Sequence, residues 1–420
     1  MSKEPIRSIK GTQDILPDQS SRWQTLESTI RNTMHTYDYF EIRTPAFENT
    51  SLFLHSVGEE SDIVSKEMYT WIDQGGENLT LKPELTAPVT RAFIQNNLGG
   101  LNPINKLYYI DSLFRRERPQ KGRYRQFHQF GVEVFGSEFP EIDVEVISLA
   151  MSIFNTLELE GLTLELNSIG SEDCRNNFRT AIKEYLKPNF DKLSETSQKR
   201  FKRNPLRILD TKSLEEKTLL KDGPQISDYW TSDDKDHFNE VCELLDKINI
   251  KFELSPNLVR GLDYYTGVVF EIISPELGAQ NTFLGGGRYD NLSNQLGGKQ
   301  LHAVGFAIGL ERLLELITVK NDISEIKVAL IISVEHNQEK TYKIANDLRQ
   351  ANNKVILDTF LSNGSFKSQM RKANKNNCDF AVIIGNDELE SNKFIWKDLS
   401  DQGDQQLFDL EALVETYRNL

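Results

Sequence analysis

Cysteine is scarce. Cys174, Cys242 and Cys378 stand far apart in a chain of 420 residues, with no C-x-x-C pair. That argues against a disulfide framework and against a thiolate zinc site. The six histidines show no H-E-x-x-H or other ligand spacing, so no metal centre is expected. There is no G-x-x-x-x-G-K-[ST] loop, no G-x-G-x-x-G and no G-x-S-x-G, which removes the common phosphate-loop, dinucleotide and nucleophile-elbow readings. No run approaches the ~20 apolar residues of a membrane span. The opening MSKEPIRSIKGTQD has no apolar signal core, so a cytoplasmic chain without a membrane partner is expected. Excess positive charge is also missing. The net charge is −14, so contact with a polyanion must come from local patches.

What is present starts with residues 114–136, FRRERPQKGRYRQFHQFGVEVFG. Six basic residues fall within the eleven positions 115–125, opposed only by Glu117. Apolar, strand-like runs flank them at 106–114 and 127–135, with Pro119 and Gly122 between. This pattern predicts a β-hairpin with a cationic tip. Arginine forks on paired strands suit phosphate oxygens.

The rest of the chain supports two or three domains. A helix is expected after Pro17, capped by Ser20 or Ser21, with Trp23, Leu26, Ile30 and Met34 on one face. Residues 39–48 read as strand-like and interrupted by Pro45, which should mark an edge or a strand end where a dimer could form. Residues 58–74 read as a loop, and Leu79 and Leu81 as a strand. Glu84 and Thr86 then precede a helix, where a carboxylate either caps the helix or grips an ammonium group. Ile142, Val146, Leu149 and Ile153 make a helical stripe. Residues 171–246 turn polar and helix-rich and read as an inserted helical domain. Its cations, Arg179, Lys183, Lys187, Lys199, Arg200, Lys202 and Arg203, read first as a solvated face. Arg260, Tyr264 and Tyr265 in LVRGLDYYTG look like a pocket wall. At 302–317 a strand runs into a helix at Gly309. Arg312 falls in the first turn, an unfavourable end of the dipole for a cation unless an anion or a base lies near. Beyond 326, strands alternate with helices as in an α/β domain with a largely parallel sheet and a helical end. Lys367, Arg371, Lys372 and Lys375 cluster there without an acid.

Together these stretches resemble the class II aminoacyl-tRNA synthetases, and within them the histidyl-tRNA synthetase family. YFEIRTP resembles motif 1, residues 114–136 motif 2 and GFAIGLERLL motif 3. RGLDYYTG and GGGRYD resemble the histidine-specific segments. The class I signatures HIGH and KMSKS are absent. The resemblance implies an α+β catalytic domain with an antiparallel sheet over 1–325, carrying the insertion at 171–246. A C-terminal α/β anticodon-binding domain would cover 326–420. It implies ATP with Mg2+ as substrate, no prosthetic group, no structural zinc, a homodimer, and histidine and its tRNA as partners.

The resemblance also distributes roles. Arg115 would hold the α-phosphate, Glu117 and Phe127 would flank adenine, Arg123 would reach the far phosphates, and Arg312 would cover the base and the γ-phosphate. Glu84 and Thr86 would take the α-ammonium of histidine. Gln129, Glu133, Tyr264 and Tyr265 would line the imidazole pocket. Arg260, beside Arg115, would sit between the histidine carboxylate and the α-phosphate, where relatives place a metal. Arg118, Gln120, Lys367, Arg371 and Lys372 would meet tRNA. KPELTAP at 82–88 departs from the familiar R-P-E-G-T-A form, with bulkier Leu85 and Pro88. The rival readings are a non-catalytic synthetase-like subunit of histidine biosynthesis and a synthetase for another amino acid. RGLDYYTG disfavours the second.

Overall fold

The cationic hairpin supplies two neighbouring strands of the larger sheet, one place in from its edge. Strands Asn105–Phe114 and Gln126–Phe135 pair antiparallel from Asn105 opposite Phe135 to Phe114 opposite Gln126. The computed structural model describes residues 5–58, 61, 63–119, 122–280, 282–317, 326–334, 338–359, 364–400 and 403–420. It divides into two units, Met1–Val319 and Lys320–Leu420. The sheet of the first unit has eight strands. Their order is Phe40–Glu41, Asn105–Phe114, Gln126–Phe135, Ala303–Gly309, Thr282–Arg288, Thr266–Ile273, Thr163–Ser168 and Glu253–Leu254. All neighbours are antiparallel except the outermost pair at each edge.

Side chains alternate across this sheet, so each strand serves two environments. Phe130, Val132 and Val134 point into a core with Leu26, Ile30, Ile147 and Ile153. The helices Pro17–Thr36, Pro140–Thr156 and Ser232–Lys247 supply that layer, and the expected stripe of Ile142, Val146, Leu149 and Ile153 is buried in it. Ser232–Lys247 falls inside the polar segment 171–246, yet its Phe238, Val241 and Leu245 join this core. The other helices of the segment, Glu172–Leu186, Glu195–Arg203 and Leu214–Lys221, belong to a second core with Tyr264 and Tyr265.

Two local expectations are corrected. The first helix is not capped at Ser20 or Ser21. It begins at Pro17, whose fixed φ suits a first helical position and whose missing N–H has no partner to lose there. The strand-like stretch 39–48 breaks at Pro45, as expected. Pro45 separates Phe40–Glu41, at the edge of the large sheet, from Phe47–Asn49, which joins a three-stranded sheet with Asn78–Leu81 and Tyr69–Ile72. That last strand lies in the stretch read as a loop.

In the second unit five strands run in the order Ile356–Thr359, Lys327–Ser333, Phe380–Gly385, Lys393–Asp398 and Gln405–Asp409. The first three are parallel, joined through helices Gln338–Ala351 and Phe366–Lys375. The last two pair antiparallel, so the expected helical end is reduced to a short helix, Asn386–Ser391, before them and Leu410–Arg418 after them. Gln405–Asp409 buries none of its side chains, which leaves no apolar alternation to betray it. Asn337, His336 and Gln120 lie outside the described residues.

One buried ion pair locks the first unit. Arg288 is 3% exposed and Asp143 is fully buried. Arg288 Nε and Nη2 both donate to Asp143 Oδ2, at 2.9 and 2.6 Å. The same guanidinium donates to the carbonyls of Ser137 and Phe139. Asp143→Ala would leave the Arg288 charge buried without its carboxylate. It is expected to lower the unfolding free energy by about 3–5 kcal/mol. A loss below about 1 kcal/mol in urea titration would contradict this assignment.

Candidate active site

The face of the sheet opposite the helical layer opens into a cavity of about 410 Å3. Alternation along Gln126–Phe135 sends Phe127, Gln129 and Glu133 to this side, away from Phe130, Val132 and Val134. The hairpin keeps its register beyond the strands, with Arg115 N–H donating to the Arg125 carbonyl at 2.9 Å. Arg115 Nε donates to the Pro83 carbonyl at 2.8 Å, and its guanidinium stands over the Phe127 ring, 5.2 Å from the centroid. Glu117 pairs with Arg123 at 2.9 Å. The Glu117 carboxylate thereby orients one arginine of the tip at the cavity mouth.

Two buried carboxylates form the opposite end. Glu84 is 3% exposed and accepts the backbone N–H groups of Thr86 and Ala87 at 2.9 and 3.0 Å. It therefore caps the helix Thr86–Gln95 and also faces the cavity. Leu85 and Pro88 fit this arrangement. Leu85 is buried in the second core, and Pro88 sits in the first helical turn, where its absent N–H would have had no intrahelical acceptor. Glu133 is 2% exposed and accepts the hydroxyls of Thr86 at 2.8 Å and Tyr109 at 3.2 Å, and that of Tyr289. Gly305 leaves room for it, since a Cβ there would run into the Glu133 carboxylate.

Burial pushes Glu133 up to about 8, reinforced by the Glu84 charge and opposed by its hydroxyl donors. Burial likewise raises Glu84 to about 7 against the Ala87 and Thr86 amides and Arg115. A cation arriving between them would favour their ionised forms.

Arg260 and Arg312 close the cavity. Arg260 pairs with Glu271, and its guanidinium stands 5.6 Å from the centroid of the Tyr265 ring. Gly285 makes space for it, because any Cβ would overlap the guanidinium. Glu271 also accepts the Thr282 hydroxyl at 2.8 Å, and the Thr282 carbonyl accepts Arg312 Nη1 at 2.7 Å. A chain of contacts thus runs from Arg260 to Arg312 through Glu271 and Thr282. Desolvation and the nearby Arg123 charge lower the pKa of Arg312, with the Glu117 and Glu315 carboxylates acting against them.

The cavity brings together Glu84, Thr86, Arg115, Glu117, Arg123, Phe127, Gln129, Glu133, Arg260, Tyr264, Tyr265 and Arg312. The sequence reading missed Tyr109, Tyr289, Glu271 and Thr282. Tyr289 follows the glycine run and could have been suspected there. The other three have no local signal, being joined to the site only through strand pairing. Arg200, read as part of a solvated face, lines the cavity instead. Arg118 lies outside it, with Lys10, Arg116 and Arg125 around a separate basic hollow. In the second unit Lys367, Arg371 and Lys372 are exposed on the helix Phe366–Lys375. Among the described residues no group of three or more His, Cys, Asp or Glu is placed to hold a metal, and no helix is long and apolar enough to cross a membrane.

Comparison with known proteins agrees with this geometry. The family model for histidyl-tRNA synthetase matches residues 11–313, and that for the anticodon binding domain matches 327–420. A histidine–tRNA ligase of Thermoanaerobacter pseudethanolicus (strain ATCC 33223 / 39E) is 45% identical over 420 residues, covering 99% of each chain. The structure of apo S. aureus histidyl-tRNA synthetase superposes with a TM-score of 0.82 at 35% identity, covering 99% of this chain and 100% of that one. An ATP phosphoribosyltransferase regulatory subunit/histidyl-tRNA synthetase from Bacillus halodurans shares the fold at 20% identity and a TM-score of 0.64, covering 91% of this chain and 100% of its own.

The two carboxylates make the empty site pH-sensitive. Both folded values, about 7 and about 8, lie above the ordinary 4.5, so the folded chain binds more protons than the unfolded chain between them. Unliganded stability should therefore fall as pH rises from about 5 to about 8. Glu133→Gln should flatten that slope in melting curves taken across the window. An unchanged or steeper slope would show that Glu133 does not carry it.

Proposed function

The chain belongs to the histidyl-tRNA synthetase family, and from that premise we propose how its cavity performs the family's reaction. The activity is histidine–tRNA ligation. Histidine and ATP give histidyl-adenylate and pyrophosphate, and histidine then passes to the terminal ribose of its tRNA. A regulatory subunit without ligase activity is not favoured. The relative that is 45% identical over the full length is a ligase, whereas the likeness to the regulatory-type structure is one of fold.

In the first step a carboxylate oxygen of histidine attacks the α-phosphorus, and the bond to the bridging oxygen of pyrophosphate breaks. Negative charge grows on the α-phosphate oxygens. Arg115 and Arg260 are assigned to that charge. Both are held in advance, Arg115 by the Pro83 carbonyl and Arg260 by Glu271, so little reorganisation is needed at the moment of reaction. Phe127 and Glu117 are assigned to adenine, Arg123 to the far phosphates, and Arg312 to the outer face of the base and the γ-phosphate. Mg2+ accompanies ATP as part of that substrate.

Glu84 and Thr86 are assigned to the α-ammonium. Thr86 spends its proton on Glu133 and keeps lone pairs for an ammonium donor. Glu133, Gln129, Tyr264 and Tyr265 form the imidazole pocket. A site that offers a buried carboxylate to an imidazole N–H rejects isosteres that lack it by ~10⁴-fold or more. The observation that carries this reading is the convergence of Arg115, Arg260 and Arg312 with the buried carboxylates Glu84 and Glu133 on one cavity.

Partners follow the same logic. The hairpin tip, with Arg118 and Gln120, is proposed to meet the acceptor end of tRNA. The exposed cations Lys367, Arg371 and Lys372 are proposed to meet its anticodon region. We also propose the domain limits 1–325 and 326–420 with an insertion over 171–246, whose last helix, Ser232–Lys247, returns to the catalytic core. A homodimer is supported by Phe40, Phe47 and Ile72, which are 64%, 50% and 73% exposed near the motif 1 edge. The cytoplasm, where charged tRNA is used, is the proposed compartment.

Arg260→Ala should reduce histidine-dependent ATP–pyrophosphate exchange by about 10²–10³-fold while equilibrium binding of histidine survives. Activity within about tenfold of the parent would remove Arg260 from this role. Neutralising Lys367, Arg371 and Lys372 together should weaken tRNA binding and reduce its salt slope by up to about three. An unchanged slope would leave them as a solvated face.

A further inference from the structure

The helical segment between 171 and 231 lines the adenylation cavity with Arg200 and Arg207, and two of its arginines, Arg175 and Arg207, bond the backbone of the loop that carries the pocket tyrosines. Arg175, 8% exposed on the helix Glu172–Leu186, donates through Nη1 to the Tyr265 carbonyl. Arg207, in the turn Pro205–Ile208, donates through Nη2 to the Gly261 carbonyl, and its Nε lies 3.5 Å from Asp263 Oδ1. Asn204 adds a hydrogen bond to the same Asp263 oxygen at 2.9 Å. The two carbonyls bracket residues 261–265. That stretch begins beside Arg260 and ends with Tyr264 and Tyr265. Phe178, Ile182, Leu206 and Ile208 of the segment share one continuous core with those tyrosines, so the grip is backed by packing. From the other side Asp263 N–H meets the Val57 carbonyl at 3.4 Å, a weak contact, and Leu262 packs against the small cluster of Leu52, Phe53 and Val57.

We propose that this helical segment is a working part of the amino-acid activation site: Arg175 and Arg207 are positioning residues that hold the loop joining the α-phosphate arginine to the imidazole-pocket tyrosines. The inference rests on the roles given above to Arg260, Tyr264 and Tyr265. Residues 261–265 lie outside regular secondary structure, so no strand ladder fixes them. Backbone carbonyls in such a stretch need donors from elsewhere, and guanidinium groups are strong ones. With the loop released, Arg260 and the tyrosines would sample positions away from the reacting atoms, and misplacement of about 1 Å can cost about 10²-fold in rate.

The test is histidine-dependent ATP–pyrophosphate exchange by the full chain carrying Arg207→Ala, Arg207→Lys, Asp263→Asn and the double variant Arg207→Ala/Asp263→Asn, with Arg260→Ala measured alongside. Arg207→Ala should lower kcat by about tenfold or more and raise KM for histidine, with KM for ATP moving less than about threefold. Arg207→Lys should recover most of the loss. The double variant should be within about twofold of Arg207→Ala alone, since the pair acts as one unit. Should Arg207→Ala fail to fold, Asp263→Asn alone must show the same kcat and histidine effects. The proposal is overturned if kcat of these variants stays within about twofold of the parent, or if the two losses multiply in the double variant. If Arg207→Ala is near normal while Arg260→Ala collapses, only the positioning role falls. If Arg260→Ala keeps its activity, the reading of Arg260 falls and the positioning role with it.

Discussion

A carboxylate without water must be surrounded by donors, and the burial of Glu133 imposes that condition on four separate elements. Its oxygens accept from Thr86 at the start of a helix, from Tyr109 on the neighbouring strand and from Tyr289 after the glycine-rich strand. A fourth element, the strand Ala303–Gly309, contributes the absence of a side chain at Gly305. Unpaired, such a group would cost several kcal/mol; paired, it fixes where each element can sit. The same arrangement makes the site hungry for a cation and an N–H donor, because burial holds both Glu133 and Glu84 above their ordinary range until a ligand supplies them.

The acidic chain keeps its cationic chemistry local. Arg115, Arg260 and Arg312 reach the cavity from three parts of the sequence, and each is braced by the protein rather than left to solvent. The braces are the Pro83 carbonyl, Glu271 and the Thr282 carbonyl. Thr282 is shared, with its hydroxyl on Glu271 and its carbonyl on Arg312. Fixed charges of this kind stabilise a developing phosphate charge without the cost of ordering side chains during the reaction. The hairpin lines the cavity along its length, with Arg115, Glu117 and Phe127 near its tip and Gln129 and Glu133 deeper in the sheet, which is why both substrates are assigned to it.

Much of this architecture is legible in the order of the residues. The hairpin can be read because two apolar runs flank a turn-forming, arginine-rich segment, and period-2 alternation puts Phe127, Gln129 and Glu133 on one face. Glu84 can be placed at a strand-to-helix junction, though its capping bonds to Thr86 and Ala87 cannot be distinguished from ligand binding by sequence. What stays hidden depends on contacts between distant residues. Nothing local to Tyr109 or Glu271 says that a carboxylate or a guanidinium lies across the sheet. Nor do the polar helices of the segment after 171 announce that Arg175 and Arg207 hold a loop some 55 to 90 positions away in sequence. Short strands are lost for a simpler reason. Tyr69–Ile72 and Gln405–Asp409 bury no side chain fully, so neither shows the apolar alternation by which strands are recognised.

The account's central claim is that this cavity selects histidine and activates it on ATP. The most direct measurement is ATP–pyrophosphate exchange by the purified full chain, run separately with each of the standard amino acids. The account predicts exchange with histidine and a rate lower by about 10⁴-fold or more with any other. No exchange with histidine, or comparable exchange with a second amino acid, would contradict it.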